Sequence, residues 1–125
     1  MTEEPMSGAE LLTVSEGLGL NRRDLATVLG VAERTVSRWF DEQVPVPDGV
    51  RLDVEAIEAA TDEQVRRIVG ATEGAPAVVE VYRKDPALWA ERPDLRPYPA
   101  RWWRVVAYRA ACEVPGVEIR YAEAG

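Results

Sequence analysis

Apolar residues recur at helical spacing through most of the chain, and the recurrence breaks at residues that mark element ends. Ser7 with Glu10 three residues later forms a capping box, which satisfies amides that a helix start leaves unpaired. Leu11, Leu12, Val14 and Leu18 supply the apolar side of the helix it opens, and Gly17-Leu18-Gly19-Leu20 breaks it. Asn21 caps a second helix over residues 22 to 29, with Leu25, Ala26 and Leu29 on one face, and Gly30 ends it. After Val31 and Ala32, a third segment over residues 33 to 41 brings Val36, Trp39 and Phe40 together as a core stripe. Arg34, Thr35, Ser37 and Arg38 lie on its other sides. Two short helices thus flank a three-residue turn in which Gly30 can take positive φ and let the second helix leave at a steep angle.

Val44-Pro45-Val46-Pro47 interrupts helical structure, and Asp48 can start the next helix. From 48 to 71 the apolar positions Leu52, Val54, Ile57, Val65, Ile68 and Val69 keep helical spacing. Thr61-Asp62-Glu63-Gln64 is itself a possible capping box, so one long helix or two short ones both fit. A break follows at residues 72 to 76. Residues 77 to 82 are rich in β-branched and aromatic side chains and read as a strand. Residues 85 to 91 predict one or two helical turns, and residues 92 to 99 a proline-punctuated loop. Residues 100 to 113 predict a last helix with Trp103, Val106, Ala107, Ala110 and Ala111 on one face. Pro115 and Gly116 stop it, and residues 117 to 121 alternate as a short strand. The expected fold is mainly α with a small β element: a helix-turn-helix bundle over residues 1 to 72, then an α+β dimerisation or interaction region over residues 73 to 125.

At 125 residues the chain is too short for a barrel enzyme of about 250 residues, while 46% apolar residues can bury a core. No apolar run approaches the roughly 20 residues that cross a bilayer, and the acidic start is unlike a secretory signal. No membrane association and a cytoplasmic location are expected. With no histidine and only Cys112 as a thiol, a zinc site or a histidine-based triad lacks its usual groups. No glycine-rich phosphate loop and no acid/base pair stands out, so binding is expected rather than catalysis, without a cofactor. The net charge of −7 lies in residues 1 to 60, and the remainder is neutral. Such a balance argues against nonspecific affinity for nucleic acid, yet Arg22, Arg23, Arg34 and Arg38 make residues 21 to 38 locally basic.

The stretch from Leu18 through Gly30 to Trp39, followed by Pro45-Val46-Pro47-Asp48, resembles the helix-turn-helix of the phage-repressor and Cro-like superfamily over about residues 7 to 60. The resemblance implies that residues 33 to 41 form the recognition helix in the major groove of double-stranded DNA. Glu33, Arg34, Thr35 and Arg38 then fall where bases are read or approached, with Ser37 beside them. The residue types suit that work: arginine donates two bonds to guanine, glutamate accepts from cytosine, and the threonine methyl meets that of thymine. Arg22 and Arg23 open the preceding helix, whose N-terminal amides also favour phosphate. Gln43 stands where relatives often carry a lysine or arginine for phosphate, and Glu42 where many have glycine.

The order of elements, ending in the helix with Arg101-Trp102-Trp103-Arg104, also resembles two-domain repressors that include the anti-CRISPR-associated autoregulators. In those the second domain makes a homodimer. A two-fold dimer has a physical motive too, because it presents two recognition helices to adjacent turns of a palindrome. Val79, Val81, Tyr82, Trp89, Trp102, Trp103, Val106 and Tyr108 are candidates for the shared surface, and they equally fit the interior of this half alone. Arg101, Arg104 and Arg109 beside the two tryptophans also suit RNA. A protein partner, as for an antitoxin, is the further alternative.

Overall fold

In a computed structural model that describes residues 6–73 and 77–122, the chain is mainly helical with a small sheet. Its elements are α1 (Gly8–Gly17), α2 (Arg22–Leu29), α3 (Glu33–Phe40), α4 (Asp48–Ala71), β1 (Val78–Val81), α5 (Asp85–Glu91), α6 (Ala100–Glu113) and β2 (Glu118–Tyr121). A 3-10 turn, Pro93–Leu95, precedes α6. No helix among the described residues is long and apolar enough to cross a membrane. Two compact units, Met1–Ala59 and Ala60–Gly125, divide the chain inside α4, whereas the pattern of breaks had put the boundary at residue 72. Gly74, Ala75 and Pro76 of that break lie outside the described residues.

The first unit follows its local signals closely. Ser7 Oγ accepts from the Glu10 amide at 3.0 Å while the Ser7 amide donates to the Glu10 carboxylate at 2.9 Å. Hydrogen bonding to the carboxylate by the Ser7 amide first, and by the Ser7 side chain second, holds the Glu10 carboxyl below its ordinary value. Leu11 and Ser15 of α1 and its C-terminal cap Leu18 form one buried line, at spacings of four and three residues. Leu12, expected on the apolar side, is one residue off that line and 38% exposed. Ser15 is tolerated inside because its hydroxyl donates to the Leu20 carbonyl at 2.6 Å. In α4, Val50, Val54 and Ile57 share the buried side; Leu52, also expected there, is two positions from Val50 and hence on the opposite side, 68% exposed.

The second unit explains why α4 stays one helix across Thr61-Asp62-Glu63-Gln64. Within that unit Glu63 pairs with Arg66 and Arg67 one turn on, and the other three side chains bond residues far along the chain. Thr61 Oγ1 accepts from the Trp102 indole N–H at 2.9 Å, with both residues buried. Asp62 pairs with Arg109 at 2.6 Å, and Gln64 Oε1 accepts from Arg92 at 3.3 Å. The buried line of α6 is Trp102, Trp103, Val106, Ala107 and Ala110, the helix lies against α5, β1 and β2, and Asp85 Oδ1 accepts the Ala100 amide at 2.8 Å at its first turn. The strands β1 and β2 pair in parallel, Val78 with Glu118 through Val81 with Tyr121, a pairing made possible by the long crossover through α5 and α6.

Candidate nucleic-acid interface

The geometry of the candidate interface begins at Asn21. Its Oδ1 accepts from the Asp24 amide at 2.8 Å and its own amide donates to Asp24 at 3.2 Å, so a reciprocal box sets the first turn of α2. Leu25 and Ala26 bury the inner side, while Leu29, expected with them, is half-buried. Gly30 ends the helix in the left-handed region at φ 73°, and the Val31 amide donates back to the Ala26 carbonyl at 3.0 Å. Residues 30 to 32 therefore form the compact turn that the spacing required.

The helix α3 begins at Glu33 with no side-chain cap on its amides and ends at Phe40, with Asp41 as its C-terminal cap and not its last turn. Val36 and Trp39 point into the core, and Phe40, expected there too, is half-buried. Arg34 and Arg38, one turn apart, are both exposed and form no ion pair with any described residue. Thr35 and Ser37 are half-buried beside them. Two exposed guanidiniums on one side of a helix that is anchored on the other by Val36 and Trp39 are chemically suited to donating paired hydrogen bonds to guanine edges or phosphates.

Glu33, expected to accept from cytosine, is exposed at the first turn of α3. Its Oε1 lies 3.2 Å from Arg22 Nε, joining the first residue of α2 to the first residue of α3 across the turn. Both side chains are about half exposed, and such a pair contributes at most about 1 kcal/mol. The ion pair orients Arg22 and offsets part of its charge. Arg23 is exposed and makes no ion pair with a described residue. Linear patterning could not find the Arg22–Glu33 pair, since its members are 11 residues apart and meet only when the turn closes.

Two further residues were missed for similar reasons. Gly8, at the first turn of α1, is buried against the end of α3, where a β-carbon would stand 2.1 Å from the Trp39 carbonyl oxygen. Val31, read only as part of the turn, is 37% exposed beside the start of α3. Glu42 adopts φ 59°, a conformation that glycine takes without strain. Glu42→Gly is accordingly expected to raise stability by about 1 kcal/mol, read as a higher urea midpoint at unchanged slope. A lower midpoint would show that Glu42 makes compensating contacts. Gln43 has an exposed side chain, and its amide donates to the Arg38 carbonyl at 2.9 Å, closing the end of α3.

The residues expected at a shared surface in the second unit sit elsewhere. Val79, Val81, Tyr82, Trp102, Trp103 and Val106 are all buried within the single chain, and Trp89 is half-buried. Their polar edges are satisfied internally: Trp103 Nε1 donates to the Glu80 carbonyl and Trp89 Nε1 to the Tyr98 carbonyl, each at 2.8 Å. Tyr98 stacks on Trp102 at 4.3 Å. This unit needs its large aromatics for its own core, because two short strands and three helical segments supply few other bulky side chains. The same burial leaves Trp102 and Trp103 no open face for stacking RNA bases. Arg109 is paired with Asp62 and Arg104 donates to the Tyr82 carbonyl; Arg101 is exposed. Tyr108, at 66% exposed, alone among these aromatics stands mostly in solvent. In comparisons with known proteins, no protein-family model and no curated protein matches the chain.

Proposed function

We propose that the first unit is a sequence-specific DNA-binding module and that the chain works as a transcriptional regulator, binding as a homodimer to an inverted-repeat operator and repressing by occupying a promoter. The reading assigns base contacts to Arg34 and Arg38, with Thr35 and Ser37 alongside, and phosphate contacts to Arg23, Arg22 and Gln43. The observation that supports it most is the α2–turn–α3 arrangement, in which Gly30 takes positive φ while Arg34 and Arg38 stand exposed opposite Val36 and Trp39. The recognition helix belongs to an acidic unit, so low nonspecific affinity and reliance on a few base contacts follow. The site of action is the cytoplasm, where promoter DNA is accessible.

Selection of bound duplexes from a random pool, by the full chain at low salt, tests the reading. Enrichment of a palindrome with half-sites about one helical turn, or 10 base pairs, apart is the expected result. A pool that remains random after several rounds would overturn sequence-specific recognition, and an enriched single half-site would overturn the two-fold arrangement.

A further inference from the structure

Every residue of β2 is exposed, including Ile119 at 40% and Tyr121 at 46%. Parallel strands are ordinarily covered on both faces, and a sheet of two strands is marginal in water. The Glu118 amide donates to the Ala77 carbonyl and the Ala122 amide to the Val81 carbonyl, each at 3.0 Å, so residues 118, 120 and 122 turn their backbone groups toward β1. Alternation turns the N–H and C=O of Ile119 and Tyr121 the other way. Along that edge no third strand lies among the described residues.

We propose that this edge is a homotypic interface: β2 pairs antiparallel with β2 of a second copy about a two-fold axis at Ile119, giving a four-stranded sheet in the order β1-β2-β2-β1. The order of side chains argues for a second copy. In Val117-Glu118-Ile119-Arg120-Tyr121, self-pairing centred on Ile119 sets Glu118 opposite the partner's Arg120 and Arg120 opposite the partner's Glu118. On the other face it sets Ile119 against the partner's Ile119 and Val117 against the partner's Tyr121. Backbone parity agrees, since the outward groups of Ile119 make the central pair the one that exchanges both N–H to C=O bonds. Centring the axis on Glu118 or on Arg120 instead sets two carboxylates or two guanidiniums face to face. The edge is therefore self-complementary in one register and repulsive in the adjacent ones that keep the same parity. This interface gives the dimer of the proposed function its contact surface, and it can be tested with no DNA present.

Sedimentation velocity of the full chain is expected to show a dimer. Glu118→Arg and Arg120→Glu should each weaken association by about tenfold or more, because either one places like charges opposite at both ends of the central pair. The double variant Glu118→Arg/Arg120→Glu should restore the dimer, and an equimolar mixture of the two single variants should form a heterodimer. Circular dichroism of each variant separates lost association from lost folding. A wild-type chain that stays monomeric alone, even one that accepts a strand from another protein, overturns the proposal. So does a dimer that folded single variants leave unchanged or that the double variant fails to restore. A monomer result would leave the groove-binding role of Arg34 and Arg38 standing or falling on the selected DNA alone.

Discussion

Arg34→Ala combined with Arg38→Ala is expected to leave the unfolding midpoint unchanged while removing the preference for a selected operator over random duplex. Both side chains are exposed and unpaired among the described residues, and substitutions of that kind usually change stability by under about 0.5 kcal/mol. A bidentate arginine–guanine contact contributes about 1 to 3 kcal/mol of discrimination, so each arginine removed should lower the preference by roughly fivefold to a hundredfold. Arg23→Ala is the contrast. It should weaken all sequences together and reduce the slope of log affinity against log salt by about 0.9, the signature of one lost phosphate contact. Arg22→Ala should act in the same sense with a smaller change, because Glu33 already engages that guanidinium at 3.2 Å. Anisotropy titrations over a salt series separate the two patterns. A double variant that keeps the operator footprint would remove the base-reading role from α3.

Gly8→Ala is expected to destabilise the first unit by about 2 to 3 kcal/mol and to weaken operator binding with it. The added carbon would stand 2.1 Å from the Trp39 carbonyl oxygen, 2.6 Å from Glu42 Cγ and 3.1 Å from the Phe40 carbonyl oxygen. Glu42 can swing aside, but the two carbonyls are backbone at the end of α3 and cannot. The start of α1 and the end of α3 must then separate, which disturbs the helix carrying Arg34 and Arg38. Gly17→Ala is the internal control, because nothing lies within 4 Å of a carbon added there and alanine favours helix over glycine by about 1 kcal/mol. Urea unfolding of both variants distinguishes close approach from helix propensity. If Gly8→Ala kept the wild-type midpoint, α1 would not press on the end of α3.

The limits of α2, α5 and α6 coincide with those read from the pattern, and α3 differs only in losing Asp41 to its cap. Those ends are legible because Asn21, Gly30, the prolines around residues 93 to 99 and Pro115 act on backbone within a few residues of themselves. The candidate interface was legible for the same reason: a turn of fixed length with glycine inside, and arginines one turn apart on a short helix. Leu12 and Leu52 were misplaced because a stripe several residues wide can be drawn through more than one line of side chains, and a neighbour is needed to choose the line. Thr61-Asp62-Glu63-Gln64 has the composition of a helix start, yet its partners Trp102, Arg109 and Arg92 lie 28 to 47 residues further on and hold it inside a continuous helix.

The amino-acid order alone was enough to specify a mainly helical chain, the glycine-closed turn between two short helices, and exposed guanidiniums on the second of them. Folding settled that Arg22 meets Glu33 across the turn, where along α4 the two units divide, and that Trp102 and Trp103 fill the second unit's own core. Helix ends and turns are set by interactions among adjacent residues, whose separation the chain itself imposes. Burial and ion pairing depend on groups brought together across tens of residues, and only a closed chain defines which of many compatible partners each side chain finds.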